Sequence, residues 1–239
     1  MVYTDMHTHL LCGVDDGAKD EETMRAMLDA AYADGVRRLC ATPHFQPDFY
    51  GDNTRLRDEA FARLSAYAAE RYPDLSLSLG NEIGYRTECL DDIRKGNSLL
   101  LGGKYVLLDF PADVSLFIME NALSRFFSGG YRVVLAHVER YEALFGEYKL
   151  LREWQESGVY FQMTASYLAA SLSGYARKHR KKLLSTSLIS MVASDGHDLS
   201  FRPMQLSAAE KALCRFGGQA LASQLLYHVP NKVLNGEDI

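Results

Sequence analysis

The chain has 239 residues, is 47% hydrophobic, and carries 26 Lys and Arg against 31 Asp and Glu, a formal charge of -5. That length suits one substantial core, read here as a single domain over residues 1–239, and the acidic balance argues against nucleic acid as a partner. No apolar stretch exceeds strand size and no basic segment precedes an apolar run at the N-terminus, so neither membrane insertion nor a signal peptide is expected, and the cytoplasm is the expected location.

In chain order, the first apolar run, Val2–Met6, leads into His7 and His9, whose spacing of two sends both side chains from one face of a strand end toward a shared ion. Asp15, Asp16 and Gly17 spell a turn, and Asp16 is the candidate ligand there. An amphipathic helix is predicted over Glu21–Asp34, stopped by Gly35. The second run, Arg37–Ala41, is closed by Thr42 and Pro43 with His44 at its mouth. After a helix over Thr54–Arg71 comes Leu75–Leu79, followed by Glu82, a carboxylate placed to bridge two cations. Asp109 lies in the apolar run Tyr105–Phe110, where a buried carboxylate requires a metal or a hydrogen-bonding partner. The helix Leu116–Phe127 leads to Arg132–Ala136 and His137, with Arg140 three residues on. The helix Tyr148–Ser157 leads to Tyr160–Met163, which no candidate ligand follows at once. The helix Tyr175–Ser187 leads to Ser190–Ala193, then to Asp195, His197 and Arg202. Pro203–Ile239 reads as one or two helices and a short tail.

Strand and helix alternating this often imply a parallel sheet. An open doubly wound sheet would gather ligands near one switch point, whereas here every run but the sixth is followed by one. The expected fold is therefore α/β, a seven-stranded relative of the TIM barrel with its metal site at the C-terminal ends of the strands. Each motif alone has a bland reading, since His-x-His pairs are often structural and Asp-Gly is usually a turn. The bland reading must hold at six equivalent places at once, and mixed histidine and carboxylate donors suit Zn, Mn or Fe.

In these residues the chain resembles the polymerase and histidinol phosphatase (PHP) superfamily, and within it the manganese-dependent protein-tyrosine phosphatases of bacterial capsule and exopolysaccharide clusters. The segments DMHTHLLCGVDDGAKD, ATPHF, GNEIG, KYVLLDFP, VLAHVERY and SDGHDLSFRP carry the likeness over nearly the whole chain. The resemblance implies a distorted (β/α)7 barrel holding three divalent ions, manganese first with iron or zinc as alternatives. It assigns one ion to His7, His9, Glu82 and Asp195, a second to Glu82, Asp109 and His137, and a third to Asp16, His44 and His197. Asp109 departs from the glutamate common in that group, which puts its direct ligation in question.

A phosphomonoester is doubly anionic, so Arg140 and Arg202, with planar forks matched to two oxygens, are the candidate phosphate ligands. None of the four cysteines (Cys12, Cys40, Cys89, Cys214) has an arginine six positions on, which excludes a cysteine phosphate loop, and none forms a CxxC pair that would suggest a disulfide. No Asp-x-Asp motif offers an aspartyl-phosphate route, leaving water activated by the cations as nucleophile. Residue chemistry stops at a phosphomonoesterase. The resemblance adds phosphotyrosine as substrate, with the tail of a bacterial tyrosine kinase as partner. The alternatives are a small-molecule phosphatase of the histidinol-phosphate kind and a non-catalytic kinase-binding regulator. The run Arg177–Lys182 places five positive charges in six residues, either a solvated face or a surface for an acidic or phosphorylated partner. Oligomeric state is not legible.

Overall fold

The computed structural model describes residues 1–239. Nine strands form two wholly parallel sheets: β1 (Tyr3–Asp5), β2 (Val36–Ala41) and β4 (Ser76–Leu79) in the first; β3 (His44–Phe45), β5 (Glu82–Gly84), β6 (Tyr105–Asp109), β7 (Arg132–Leu135), β8 (Val159–Thr164) and β9 (Ile189–Ala193) in the second. Seven apolar runs thus become nine strands, and the reason is local. Pro43 has no N–H to donate and Gly80–Asn81 departs from extended pairing, so both lines of chain break at the same level. The register survives the break, Ala41 opposite Leu79 being followed by His44 opposite Glu82. Asn81 fills the gap by donating to the Pro43 carbonyl at 2.9 Å. At the other margin, His9 N–H donates to Gly196 O at 2.8 Å and Asp195 N–H to His7 O at 2.9 Å, tying the end of the first strand to the end of the last.

The helices are α1 (Glu21–Asp34), α2 (Pro47–Tyr50), α3 (Thr54–Arg71), α4 (Cys89–Lys95), α5 (Leu116–Ser128), α6 (Tyr148–Glu156), α7 (Ala165–Ala169), α8 (Gly174–Ser185), α9 (Ser207–Ser223) and α10 (Val229–Leu234). The short α2, α4 and α7 were not among the sequence expectations, being under three turns and without a readable period. α1 shows why the longer ones form. The Asp20 side chain caps Thr23 N–H at 2.8 Å, Met24, Met27, Leu28 and Ala31 make the buried stripe, and Gly35 at φ 111° ends the helix.

Strands buried on both faces sort alternate residues into two cores. Val106, Leu108, Val133 and Leu135 face the helices, while Leu107, Val134, Met191 and Ala193 form an inner cluster with Met6 and Tyr105, joined by Val229, Val233 and Leu234 of α10. The same two-residue alternation carries Asp109 above Leu107 and Asp195 above Ala193. The fold therefore aims carboxylates at the space above the inner cluster.

Candidate metal centre

Glu82 stands at the middle of that space, its side chain buried. Its Oε2 lies 3.3 Å from His7 Nε2, 3.2 Å from His9 Nε2 and 3.0 Å from His44 Nδ1, and its Oε1 lies 2.8 Å from His137 Nε2. Asp195 Oδ1 is 3.4 Å from His7 Nε2 and 3.5 Å from His9 Nε2. Asp16 Oδ1 is 3.3 Å from His197 Nε2 and 3.5 Å from His44 Nε2, and Asp109 Oδ1 is 3.5 Å from His137 Nε2. All nine sequence candidates converge.

Whether these residues suit cations is answered by their own atoms. Two bonds of about 2.0–2.2 Å from one ion, at tetrahedral or octahedral angles, hold their donor atoms about 2.8–3.6 Å apart, the spacing seen here. His44 Nδ1, Glu82 Oε2 and His197 Nε2 are buried and lack a properly formed hydrogen bond. His7 Nε2 and His9 Nε2 face each other at 3.1 Å. Converging lone pairs without donors between them suit a cation and are costly without one. By distance the donors form three groups, each spanning no more than 4.8 Å: His9, Asp16, His44 and His197; His7, His9 and Asp195; His44, Glu82 and Asp109. His9 and His44 each fall in two of these groups by distance, but a single imidazole lone pair serves one ion, and the residue whose two oxygens reach separate sets of donors is Glu82, with Oε2 toward His7 and His9 and Oε1 toward His137.

The outer hydrogen bonds fix which nitrogen faces inward. Asp15, an acceptor only, takes the His9 Nδ1 proton at 2.8 Å and also the His44 N–H at 2.8 Å and the Gly17 N–H at 3.0 Å. Gln162 Oε1 accepts the His137 N–H at 2.8 Å and is therefore also the acceptor for His7 Nδ1 at 3.1 Å. His197 Nδ1 donates to the Asp195 carbonyl at 2.8 Å. All three rings consequently present an Nε2 lone pair to the centre. Asp15 and Gln162 were missed by the sequence reading. Signals existed: Asp15 adjoins Asp16, and Gln162 is a lone amide in the apolar run Tyr160–Met163, whose missing ligand is replaced by this supporting bond. Tyr141, also missed, donates to Asp109 Oδ1 at 3.2 Å, and Tyr50 stacks on His44 with centroids 5.5 Å apart.

Electrostatics agree with a cation site. Burial opposes charge on His9, yet Asp15 and Glu82 outweigh it and raise its pKa to about 9; His44 is likewise raised to about 9 by Glu82 and Asp15 against burial. Burial would push the Glu82 carboxyl up, but His7, His44 and His137 hold it well below its ordinary value. Asp195 falls to about 2 because His7 and Arg140 overcome burial, whereas burial and Glu82 raise Asp109, the carboxylate with least positive charge beside it. In the metal-free protein, protons on His9 and His44 place positive charge among these carboxylates. Backbone strain collects here too, with His137 at φ 31° and Asp195 at φ 53°, two of the three non-glycine residues with positive φ.

Arg140 and Arg202 line the same cavity of about 220 Å³, between the candidate ligands. Neither is merely solvated. Arg140 donates to Asp195 Oδ2, and Arg202 Nη2 donates to Asp16 Oδ2 at 3.0 Å, while both side chains keep nearly two-fifths of their surface exposed. Close packing fixes the loops: a Cβ on Gly17 would lie 1.7 Å from His9 O, and one on Gly196 2.2 Å from Met204 Cγ.

The model of the family described as "Capsular polysaccharide synthesis, CpsB/CapC" matches residues 3–235. The chain belongs to the CpsB/CapC family. Among its relatives are the tyrosine-protein phosphatase CpsB of Streptococcus agalactiae serotype V, 30% identical over 241 residues (98% of this chain, 99% of the relative), and the tyrosine-protein phosphatase YwqE of Bacillus subtilis, 30% identical over 222 residues (92% and 87%). The solved structures of YwqE from Bacillus subtilis and CpsB from Streptococcus pneumoniae, described as unique metal-dependent tyrosine phosphatases, include a chain matching at TM-score 0.89 and 29% identity, over 99% of this chain and 96% of that one. A dihydropyrimidinase from Brevibacillus agri, at TM-score 0.58 and 11% identity over 97% of this chain and 70% of its own, shares the fold alone. No helix of this CpsB/CapC member is long and apolar enough to cross a membrane.

Proposed function

We propose that this CpsB/CapC protein is a metal-dependent phosphatase that hydrolyses phosphotyrosine in proteins. The observation that carries the reading is the convergence of Glu82 with eight further nitrogen- and oxygen-donor residues, with buried donor atoms left unpartnered, in a family whose named relatives are tyrosine-protein phosphatases. Three divalent ions, manganese first and iron or zinc otherwise, fit three sets of donors linked by distances of 3.5 Å or less: His7, His9, Glu82 and Asp195; Glu82, Asp109 and His137; and Asp16, His44 and His197. The two sheets read best as one distorted (β/α)7 barrel, since two broken lines and five unbroken strands give seven staves and bonds from His7 and His9 join the first to the last. The same reading treats residues 1–239 as one domain and places it in the cytoplasm.

When bound, divalent cations supply Lewis acidity, lowering the pKa of water toward neutrality and neutralising phosphoryl oxygens. The chain's own residues do the rest. Arg140 and Arg202 hold the phosphoryl oxygens with planar, permanently charged forks, and their pairing with Asp195 and Asp16 fixes the forks before substrate arrives. Asp15 and Gln162 keep the imidazole lone pairs turned inward. Tyr141, kept protonated by burial and by Asp109, holds that carboxylate in place. All four cysteines lie outside the residues lining the cavity, so water provides the attacking oxygen. The partner we assign is a bacterial tyrosine kinase acting in capsule or exopolysaccharide synthesis. Turnover of a phosphotyrosine peptide against histidinol phosphate in metal-defined buffer tests the reading: preference for the peptide supports it, preference for histidinol phosphate makes the chain a small-molecule phosphatase, and no turnover of either leaves it a binding protein.

A further inference from the structure

The basic run of α8 is arranged unlike a surface that is charged only for solubility. Arg177, Lys178, Lys181 and Lys182 are all exposed, and their spacing places them within an arc of about 140° on one face of the helix. The fifth cation, Arg180, is turned away to donate to the carbonyls of Tyr167, Leu168 and Ala170. α8 contains no acidic residue, and none of the four exposed cations forms a salt bridge; Lys182 only approaches the Tyr148 ring, at 5.8 Å. Two features oppose helix stability. Arg177 with Lys181, and Lys178 with Lys182, repel at i,i+4, and Arg177 sits in the first turn, where the helix dipole disfavours positive charge. A face kept in water for solubility would mix signs, as α3 does with its Arg55–Glu59 pair.

This face is also connected to the candidate metal centre. His179, on the buried side of α8, accepts or donates a 2.9 Å hydrogen bond with Tyr148 and packs against Phe145 at 4.7 Å between ring centroids; Tyr175 packs on Phe145 at 5.8 Å. Phe145 follows Arg140 by five residues, a path that spans at most about 18 Å even if fully extended. The intervening chain is folded into two short 3-10 turns, Val138–Arg140 and Glu142–Leu144, so the real distance is shorter. The exposed cations lie beyond Phe145 by the ring contact and the roughly 10 Å width of α8, so an extended peptide with its phosphate against Arg140 reaches them within about ten residues.

We propose that the exposed face of α8 is a docking surface for an acidic stretch of the phosphotyrosine substrate itself, lying within about ten residues of the modified tyrosine. The proposal rests on the phosphatase reading above and adds a substrate preference to it. Charge complementarity selects the occupant: four uncompensated cations beside a site built for a dianion favour a partner whose acidic residues flank its phosphate. A membrane surface is the less fitting occupant, because the buried side of α8 (His179, Leu183, Leu184) is packed into the protein and Tyr175 is the one large exposed aromatic on the helix, too little apolar surface to anchor it in lipid.

The test uses the manganese-loaded full chain and three phosphotyrosine peptides, one with neutral flanks and two with four glutamates placed on either the N-terminal or the C-terminal side. Wild-type protein should favour at least one acidic peptide by roughly tenfold in kcat/KM at about 50 mM salt, and the advantage should vanish at about 0.5 M. The double variant Lys178→Glu, Lys181→Glu should lose the advantage while hydrolysing p-nitrophenyl phosphate and the neutral peptide at the wild-type rate, and it should prefer a lysine-flanked peptide. The Lys178→Gln, Lys181→Gln variant should lie between. An unchanged peptide preference in folded charge-reversed protein overturns the proposal. So does loss of binding to phosphatidylglycerol vesicles with peptide kinetics intact, which would assign the face to membranes. If no phosphotyrosine peptide is hydrolysed, the phosphatase reading fails by itself; fluorescence anisotropy with the same acidic peptide then reads docking, and equal affinity for wild type and the charge-reversed variant overturns it.

Discussion

Replacing Asp15 by asparagine changes one oxygen for an amide nitrogen and leaves every proposed ligand in place, so it isolates the supporting role of this carboxylate. Its Oδ2 accepts from His9 Nδ1 and the His44 N–H, and its Oδ1 accepts from the Gly17 N–H. Asparagine has only one acceptor oxygen. Turned one way, it leaves the Gly17 N–H facing an NH2 group; turned the other, it sets NH2 against both the His44 N–H and the His9 proton, which pushes that proton onto Nε2, the atom facing the metal centre. Either way one short, charge-assisted bond is weakened and at least one buried N–H is orphaned, a loss of about 1–3 kcal/mol. For a chain of this length that lowers Tm by roughly 2–12 °C. Loss of an outer partner of a metal-binding imidazole lowers affinity by about 10–100-fold, or about 1.4–2.7 kcal/mol. Isothermal titration of the metal-free D15N protein with Mn2+, alongside circular dichroism to show that the fold persists, measures both effects. Wild-type affinity for every ion in correctly folded D15N protein would refute the tautomer argument.

Four further outcomes follow from the same geometry. Chelation should abolish phosphatase activity and Mn2+ should restore it, whereas thiol alkylation should leave turnover intact, because Cys40 and Cys89 are buried and no cysteine lines the cavity. Arg140→Lys or Arg202→Lys keeps the charge but loses the fork, so kcat/KM should fall about tenfold or more, equivalent to ~1.4 kcal/mol, with metal content unchanged; wild-type kinetics in both variants would remove them from phosphate binding. Gly17→Ala sets a methyl against the His9 carbonyl and should destabilise the chain by about 1–3 kcal/mol or more, which chemical denaturation of the metal-free protein measures. His9 and His44 have ordinary pKa values of 6.5 and folded, metal-free values of about 9. Above pH 6.5 the folded chain therefore holds protons that the unfolded chain has released, so the Tm of the metal-free protein should decline as pH rises from 6.5 to about 9. Metal affinity should rise over the same interval, since cations displace those protons; an affinity independent of pH there would contradict the assignment.

The alternation of apolar runs and amphipathic stretches was legible in the chain because both periods are local, two residues for a strand and 3.6 for a helix. α1 and α3 fall on their expected limits, and the ligand types were readable because polar donors stand immediately after apolar runs, where burial demands a partner. The short α2, α4 and α7 have too few residues to show a period, and the breaks at Pro43 and Gly80–Asn81 look like ordinary strand ends until the shared register across them is seen. What only the tertiary structure decided is which donors meet. Asp16 is held by Arg202, 186 residues away, and His7 is oriented by Gln162, 155 residues away. The face a strand residue presents is written in its neighbours, but the distance between two strand ends depends on the strands packed between them. The sequence therefore determined the kinds of atoms at the site, and the fold determined that Glu82 lies between two sets of donors, that Asp15 fixes the His9 tautomer, and that Arg140 and Arg202 brace the carboxylates of Asp195 and Asp16.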